Sequence, residues 1–82
     1  MHYPLYTDVA LTRDLPSHNL RRGDVVRLID HHVGPDGKEG YSIEVFSAVG
    51  DTVAVTAVDE DAIEALHSDE VLSVRRMKSA VA

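Results

Sequence analysis

The chain has no cysteine and no tryptophan, and its aromatic residues are limited to three tyrosines and one phenylalanine. Without cysteine it forms no disulfide, carries no thiol nucleophile and offers no thiolate to a metal. No apolar run approaches the ~20 residues of a membrane span, and the N-terminus lacks the basic and apolar segments of a secretion signal. We therefore expect a soluble cytoplasmic protein that has no contact with a membrane and carries no cofactor.

Basic residues are also scarce. Eight Lys and Arg residues stand against fourteen Asp and Glu residues, which gives a formal net charge of −6. Proteins that bind nucleic acids need a positive face to displace counterions from phosphates. The two basic spots here, Arg21-Arg22 and the Arg75-Arg76-Met77-Lys78 segment, are short. The charge balance therefore argues against a nucleic-acid ligand.

The length of 82 residues predicts a single domain. A domain of this size buries only about 60–65% of the surface of its unfolded chain, which leaves little room for an enclosed active site. The neighbours Ser17 and His18 are the nearest approach to a nucleophile with its base, and adjacency in sequence does not make a triad. We expect no catalytic residues and no enzymatic activity. We expect residues 1–82 to form one unit with an ordered core at 5–74 and a tail at 75–82 that frays.

β-Strand patterns dominate the chain. They occur at residues 8–12, 24–33, 41–47 and 52–57. A Gly- and Pro-containing hairpin loop at 34–40 separates the second strand from the third. In the third strand Tyr41, Ile43 and Val45 share one face. In the fourth we expect Val53 and Val55 to point into the core.

The spacing of the apolar residues changes after the fourth strand. Acidic residues gather at the start of segment 59–66, and Ile63 and Leu66 lie three positions apart, which predicts a short helix of one to two turns. Residues 71–74 are apolar except for Ser73, and we expect them to follow as a closing strand. The prediction is a mostly β fold: a small five-stranded SH3-like β-barrel with one short helical turn before the last strand.

Several segments together resemble a known bacterial family. They are Leu5-Tyr-Thr-Asp-Val-Ala-Leu-Thr-Arg-Asp-Leu-Pro16, Leu20-x-x-Gly-Asp-Val25, Gly40-Tyr-x-Ile-Glu-Val-Phe46 and Gly50-x-Thr-Val-Ala-Val55. The succession is similar to the domain of unknown function DUF4926 over residues 5–72. The resemblance implies an SH3-like barrel that is often encoded beside a partner gene, as in toxin–antitoxin or immunity pairs.

The five histidines raise the question of a metal site. His31 and His32 are adjacent in a strand, so their side chains point to opposite faces and do not share an ion. Asp30 and His32 share a face, and Asp36 lies in the neighbouring loop. These residues could form an opportunistic two-ligand site, whereas a zinc site in a protein uses three or four ligands. We therefore predict no metal site.

A binding module remains as the leading hypothesis. We predict a non-catalytic protein-interaction domain, a neutralising or accessory partner of a basic protein encoded nearby. The predicted contact residues are Asp59, Glu60, Asp61, Glu64 and Phe46. One alternative is a nucleic-acid-binding barrel that uses Arg21, Arg22, Arg27 and Lys38. Another is a structural accessory domain without a ligand of its own, and a barrel edge also offers a route to a homo-oligomer.

Overall fold

A computed structural model describes residues 2–77 of the chain. Within this range five strands form one antiparallel sheet: β1 (Asp8–Leu11), β2 (Val25–Val33), β3 (Glu39–Phe46), β4 (Thr52–Asp59) and β5 (Ile63–Ala65). Two 3-10 helices, Pro16–His18 and Glu60–Ala62, lie in the connections. The mostly β fold with five strands and a helical turn before the last strand is confirmed.

The strand order in the sheet is β4-β3-β2-β1-β5. Three consecutive hairpin-type pairings join β1 to β4 in sequence, and β5 returns to pair with β1 on the far side. The two outermost strands, β4 and β5, do not pair with each other among the described residues. The sheet is therefore open, and the predicted barrel is not closed by strand pairing.

The central strands follow the predicted pattern. On β3 the side chains of Tyr41, Ile43 and Val45 lie on the buried face, as expected from their alternation. The strand β2 pairs with β1 on one side and with β3 on the other. Val26 and Leu28 are buried on one face, and Val25 and Ile29 are half-buried on the other. A register shift between Leu28 and Asp30 interrupts the pairing with β3, and such a shift bends a strand.

The register of β4 was predicted wrongly by one residue. Val53 and Val55 are 40% and 57% exposed, so they face outward. The inward positions are those of Ala54, Thr56 and Val58, which lie opposite the buried residues of β3. Large side chains on β3 already fill the core at this point, and small residues fit against them. Because valines recur on both faces of this segment, its alternation did not decide between the registers.

The last strand also differs from the prediction. β5 begins at Ile63, inside the segment predicted as a helix, and the helical turn is reduced to Glu60–Ala62. Ile63 is 3% exposed and pairs with Leu11, so burial against β1 outweighs the weak helical pattern. Residues 71–74 form no strand, and Val71 is 90% exposed.

The apolar core lies on one face of the sheet. Its buried members are Val9, Leu11, Leu20, Val26, Leu28, Tyr41, Ile43, Val45, Val58, Ala62 and Ile63. The loop between β1 and β2 is attached to this core by Leu20 and by a bridge between Leu15 and Leu20. Gly23 then turns the chain into β2 with a φ of +90°, a conformation that other residues adopt only under strain.

The C-terminal segment lies against the domain as far as it is described. Arg75 is half-buried and hydrogen-bonds to the side chain of Asp24. The predicted fraying of residues 75–82 thus does not apply to Arg75, while residues 78–82, including Lys78, lie outside the described residues. The helical turns found in residues 2–77 are far too short to cross a membrane.

Candidate functional site

The outer edge of β4 is the most exposed apolar feature of the sheet. The strand Thr52–Asp59 pairs with β3 on one side, with a register shift at Val53, and no strand among the described residues pairs with the other side. Val53 and Val55 project from the outward face, and Ala57 between Val55 and the end of the strand is also exposed. The side chains from Val53 to Val58 carry no charge. We call this strand edge, with its outward valines, the β4 edge.

Phe46 borders the β4 edge at one end. It is 36% exposed and lies opposite Thr52 at a register shift, so the outward face at this corner combines an aromatic ring with Val53. The guanidinium of Arg27 lies 5.1 Å from the centre of the Phe46 ring. Arg27 also donates a hydrogen bond of 3.0 Å to Asp8, which raises the pKa of the Arg27 guanidinium. Phe46 is thus exposed beside the outward valines, while its role as a partner contact stays a prediction.

The acidic residues predicted as partner contacts lie at the opposite end of β4. Asp59 ends that strand, Glu60 and Asp61 occupy the 3-10 helix, and Glu64 lies exposed on β5. Phe46 is opposite Thr52, seven residues from Asp59, so about 23 Å of strand separates the aromatic corner from the acids. The structure therefore does not bring Phe46 and the acidic residues together.

Part of this acidic charge is neutralised within the protein. The guanidinium of Arg13 lies 3.5 Å from a carboxylate oxygen of Asp61 and 3.7 Å from one of Asp59. The Lys38 ammonium is 3.9 Å from the same Asp59 oxygen. These pairs are solvent-exposed, so each contributes little to stability, but they lower the local negative field. Glu64 forms no such pair in the described residues.

The four basic residues of the nucleic-acid hypothesis do not form one patch. Arg21 and Arg22 lie in the loop before β2, whereas Lys38 lies in the hairpin loop between β2 and β3. Arg27 is paired with Asp8, and Lys38 lies near Asp59. The positive charge of these four residues is thus dispersed and partly neutralised, which is unfavourable for following a phosphate backbone.

Asp24 was missed by the sequence analysis as an organising residue. Its carboxylate accepts the backbone N–H of Arg21 at 2.7 Å and binds the Arg75 guanidinium through two parallel hydrogen bonds. Burial raises the pKa of Asp24, but the hydrogen bonds and charge of Arg75, helped by Arg21, lower it below its usual value. The same pairing raises the pKa of Arg75. Asp24 therefore fastens the C-terminal segment to the start of β2.

A second feature missed from the sequence is a cluster of imidazole and carboxylate groups at the end of the β2–β3 hairpin. The Nε2 atom of His31 lies 2.5 Å from Oε2 of Glu39. His2 approaches from the N-terminal segment, with its Nε2 atom 3.6 Å from Oε1 of Glu39 and its Nδ1 atom 3.6 Å from Oε2 of Glu60. Among the described residues, His2, His31 and Glu39 are close enough to one another to hold a metal ion together.

The residues considered for a metal in the sequence have other partners. His32 Nε2 lies 2.6 Å from the Ser42 hydroxyl, Asp30 accepts the backbone N–H of His31, and Asp36 accepts that of Lys38. The register of the β2–β3 hairpin explains why His31 lies near Glu39, because Val33 is opposite Glu39 and His31 is opposite Tyr41. His31 and Glu39 are therefore diagonal neighbours on one face, within reach of long side chains. No signal in the sequence indicated His2.

Comparison with known families gives one result. The chain belongs to the family described as Domain of unknown function (DUF4926), whose family model matches residues 5–65. Comparison with curated proteins and with solved structures gives no match. The resemblance drawn from the sequence motifs is confirmed.

Proposed function

We propose that this protein is a non-catalytic protein-interaction module that binds an extended segment of a basic partner protein along the β4 edge. The observation that carries the proposal is an eight-residue edge strand whose outward side chains, Val53 and Val55, are apolar and exposed. The free side of such a strand presents a row of backbone N–H and C=O groups to another chain. A partner strand that pairs there gains backbone hydrogen bonds and apolar contacts together.

The composition of the β4 edge supports this reading. Natural edge strands are usually protected from association by lysine, proline, a short length, an inward-pointing charge or a β-bulge. The one register shift between β3 and β4 lies at Val53, next to the start of the strand, so the stretch from Ala54 to Asp59 pairs with β3 without interruption. From Val53 to Val58 the strand has neither charge nor proline, and it is among the longer strands of the sheet. The exposed ring of Phe46 extends the apolar surface beyond the strand. Aromatic side chains contribute strongly to protein interfaces.

The charge of the chain supports a basic partner. The net charge is −6, and Asp51 and Asp59 border the two ends of the β4 edge. A partner whose strand carries lysine or arginine near its ends gains favourable contacts at both, and the overall field accelerates its approach. Asp61 and Glu64 lie beyond the end of β4, so we expect them to act mainly on the association rate.

We further propose that the fold is an SH3-like barrel left open between β4 and β5, and that the partner is the product of a neighbouring gene in a bacterial cytoplasm. The strand order and the 3-10 turn before β5 support the first statement. Membership of the family, together with the resemblance to proteins encoded beside a partner, supports the second. A small acidic protein of this kind is suited to cover a basic toxin or enzyme.

The test is to co-express this chain with the product of each flanking gene, purify by a tag on that product, and measure the affinity of the complex. The variant Val55→Lys places a charge on the β4 edge, and we expect it to weaken binding at least tenfold. The matched control is Val49→Lys, since Val49 is 84% exposed in the loop before β4 and should tolerate the change. Equal losses in both variants, or no loss in either, would contradict binding at the edge.

A second variant tests the role of charge. Replacing Asp59, Asp61 and Glu64 by lysine should slow association at least tenfold at low salt, with a smaller effect at moderate salt. An unchanged association rate would show that these acids do not steer the partner. The absence of binding to either neighbouring product would refute a neighbour-encoded partner.

The same proteins distinguish other occupants of the edge. A homodimer in analytical ultracentrifugation that Val55→Lys converts to monomer would assign the edge to self-association instead. Fluorescence anisotropy with single- and double-stranded DNA and RNA should show no binding tighter than about 10⁻⁵ M at physiological salt. Submicromolar binding lost in Arg21→Glu/Arg22→Glu would favour the nucleic-acid hypothesis over the one proposed.

A further inference from the structure

We propose that His2, His31 and Glu39 form a binding site for a divalent transition-metal ion of the Zn²⁺ type. Each offers one ligand atom, and the three atoms lie within 4.8 Å of one another. The residues come from different parts of the chain: His2 from the N-terminal segment, His31 from β2 and Glu39 from the start of β3. An ion held here joins the N-terminal segment to the β2–β3 hairpin.

The spacing of the ligand atoms is close to what a metal requires. Zinc binds histidine nitrogen and carboxylate oxygen at about 2.0–2.2 Å, so tetrahedral ligands stand about 3.3 Å apart. The separation between His2 Nε2 and Glu39 Oε1 is 3.6 Å, and that between His31 Nε2 and Glu39 Oε2 is 2.5 Å. An ion takes the place of the hydrogen bond between His31 and Glu39 after the carboxylate moves by about 1 Å, a change within the freedom of a partly exposed side chain.

The surroundings of His2 match those of a metal ligand. Histidines that bind a metal through one nitrogen commonly donate the other N–H to a carboxylate, which fixes the tautomer and the ring orientation. Here Nδ1 of His2 lies 3.6 Å from Oε2 of Glu60, while Nε2 points toward Glu39. A small contraction of the first distance gives this arrangement. Glu60 is therefore assigned as a positioning residue.

A buried tyrosine supports both sides of the cluster. The Tyr41 hydroxyl accepts a hydrogen bond of 2.8 Å from the backbone N–H of Tyr3 and lies 3.5 Å from Glu60. The Tyr41 side chain is fully buried, so this contact holds the residue next to His2 at a fixed place. The ring of His31 packs 5.0 Å from that of Tyr41. Tyr41 thus contacts the ring of His31 directly and holds the backbone next to His2.

The ligand chemistry selects the class of ion. Two imidazoles and one carboxylate suit Zn²⁺, Ni²⁺, Co²⁺ or Cu²⁺, whereas Ca²⁺ and Mg²⁺ prefer oxygen donors alone. The side chain of His2 is 60% exposed, whereas those of His31 and Glu39 are each 30% exposed. Solvent reaches the cluster from the side of His2, so water completes the coordination of a bound ion. The proposal is independent of partner binding at the β4 edge.

The experiment uses protein without a polyhistidine tag, treated with EDTA, dialysed and titrated with ZnCl₂ by isothermal calorimetry. We expect one ion per chain. The variants His2→Gln and Glu39→Gln should each weaken binding at least tenfold, and the matched control His67→Gln should leave it unchanged, because His67 is exposed and outside the cluster. MgCl₂ under the same conditions should give no saturable binding.

A second readout reports the ligands directly. Zinc should shift the NMR signals of the His2 and His31 rings and leave those of His67 in place. The proposal is overturned if the wild-type protein shows no saturable binding of Zn²⁺ up to about 1 mM, a free energy near −4 kcal/mol. It is equally overturned if His2→Gln binds zinc as wild type does; this exposed substitution leaves the sheet folded, so unfolding does not obscure the result.

Discussion

Removing the carboxylate of Asp24 should loosen the C-terminal segment and destabilise the whole domain. Asp24 binds the Arg75 guanidinium through two hydrogen bonds and accepts the backbone N–H of Arg21. Hydrogen bonds to charged groups contribute about 1.5–3 kcal/mol each when they are well protected. The Asp24 and Arg75 side chains are 20% and 25% exposed, so solvent screens part of this energy. An asparagine side chain at this position would also retain one acceptor oxygen.

We therefore expect Asp24→Asn to lower the free energy of unfolding by about 1–2 kcal/mol at pH 7, with a loss in Tm of about 4–8 °C for each kcal/mol. Urea denaturation followed by circular dichroism measures the first quantity. The variant Arg75→Gln provides the double-mutant cycle, and the two changes together should cost less than their sum. Additive losses would show that the pairing of Asp24 with Arg75 does not stabilise the fold.

The pH dependence gives a second check. Although burial acts to raise it, the pKa of Asp24 is lower in the folded protein than its usual value, because of Arg75 and Arg21. The stabilisation is thus complete above the ordinary pKa of an aspartate and is lost as the pH falls through the lowered folded value. The stability difference between wild type and Asp24→Asn should be constant from pH 6 to pH 8 and shrink below about pH 4. A difference that grows in acid would refute the assignment.

Two further substitutions test the sheet. Val58→Asp buries an unpaired carboxylate at a position only 9% exposed, so it should cost about 3 kcal/mol or more and unfold the domain. Val53 is 40% exposed, so Val53→Asp should remain folded, with a stability within about 1 kcal/mol of wild type. Thermal denaturation measures both effects. Gly40→Ala places a Cβ atom 3.0 Å from the backbone oxygen of Val58, and this crowding should exceed the entropic gain of about 0.4–1 kcal/mol and lower the urea midpoint.

The sequence was sufficient for the strands that have both a clear period and clear punctuation. Tyr41, Ile43 and Val45 alternate with polar residues, so the buried face of β3 was predictable. The register of β4 was not, because Val53, Val55 and Val58 place valines on both faces. Only the pairing with β3 decides which of them is buried. A two-residue period determines a face only where the two faces differ in polarity.

The prediction for residues 59–74 was wrong for a different reason. The pattern at 59–66 carries helical spacing and the residues at 71–74 carry strand composition, yet Ile63 pairs with β1 and the later segment forms no strand. What decides this is the space beside Leu11, a tertiary property that local propensity does not contain. For the same reason the cluster of His2, His31 and Glu39 had no signature in the sequence, because it joins residues far apart in the chain.

The outward valines of the β4 edge are only partly packed, and this supports the proposal that the edge binds a partner. Val58 fills the core and must be apolar, whereas Val55 is 57% exposed and contributes only part of its area to packing. Threonine there has a similar strand preference and a lower tendency to associate, so folding alone gives valine only a small advantage. An exposed apolar surface costs solubility when it stays uncovered. A partner strand that covers Val53 and Val55 removes this cost and uses the same residues for affinity.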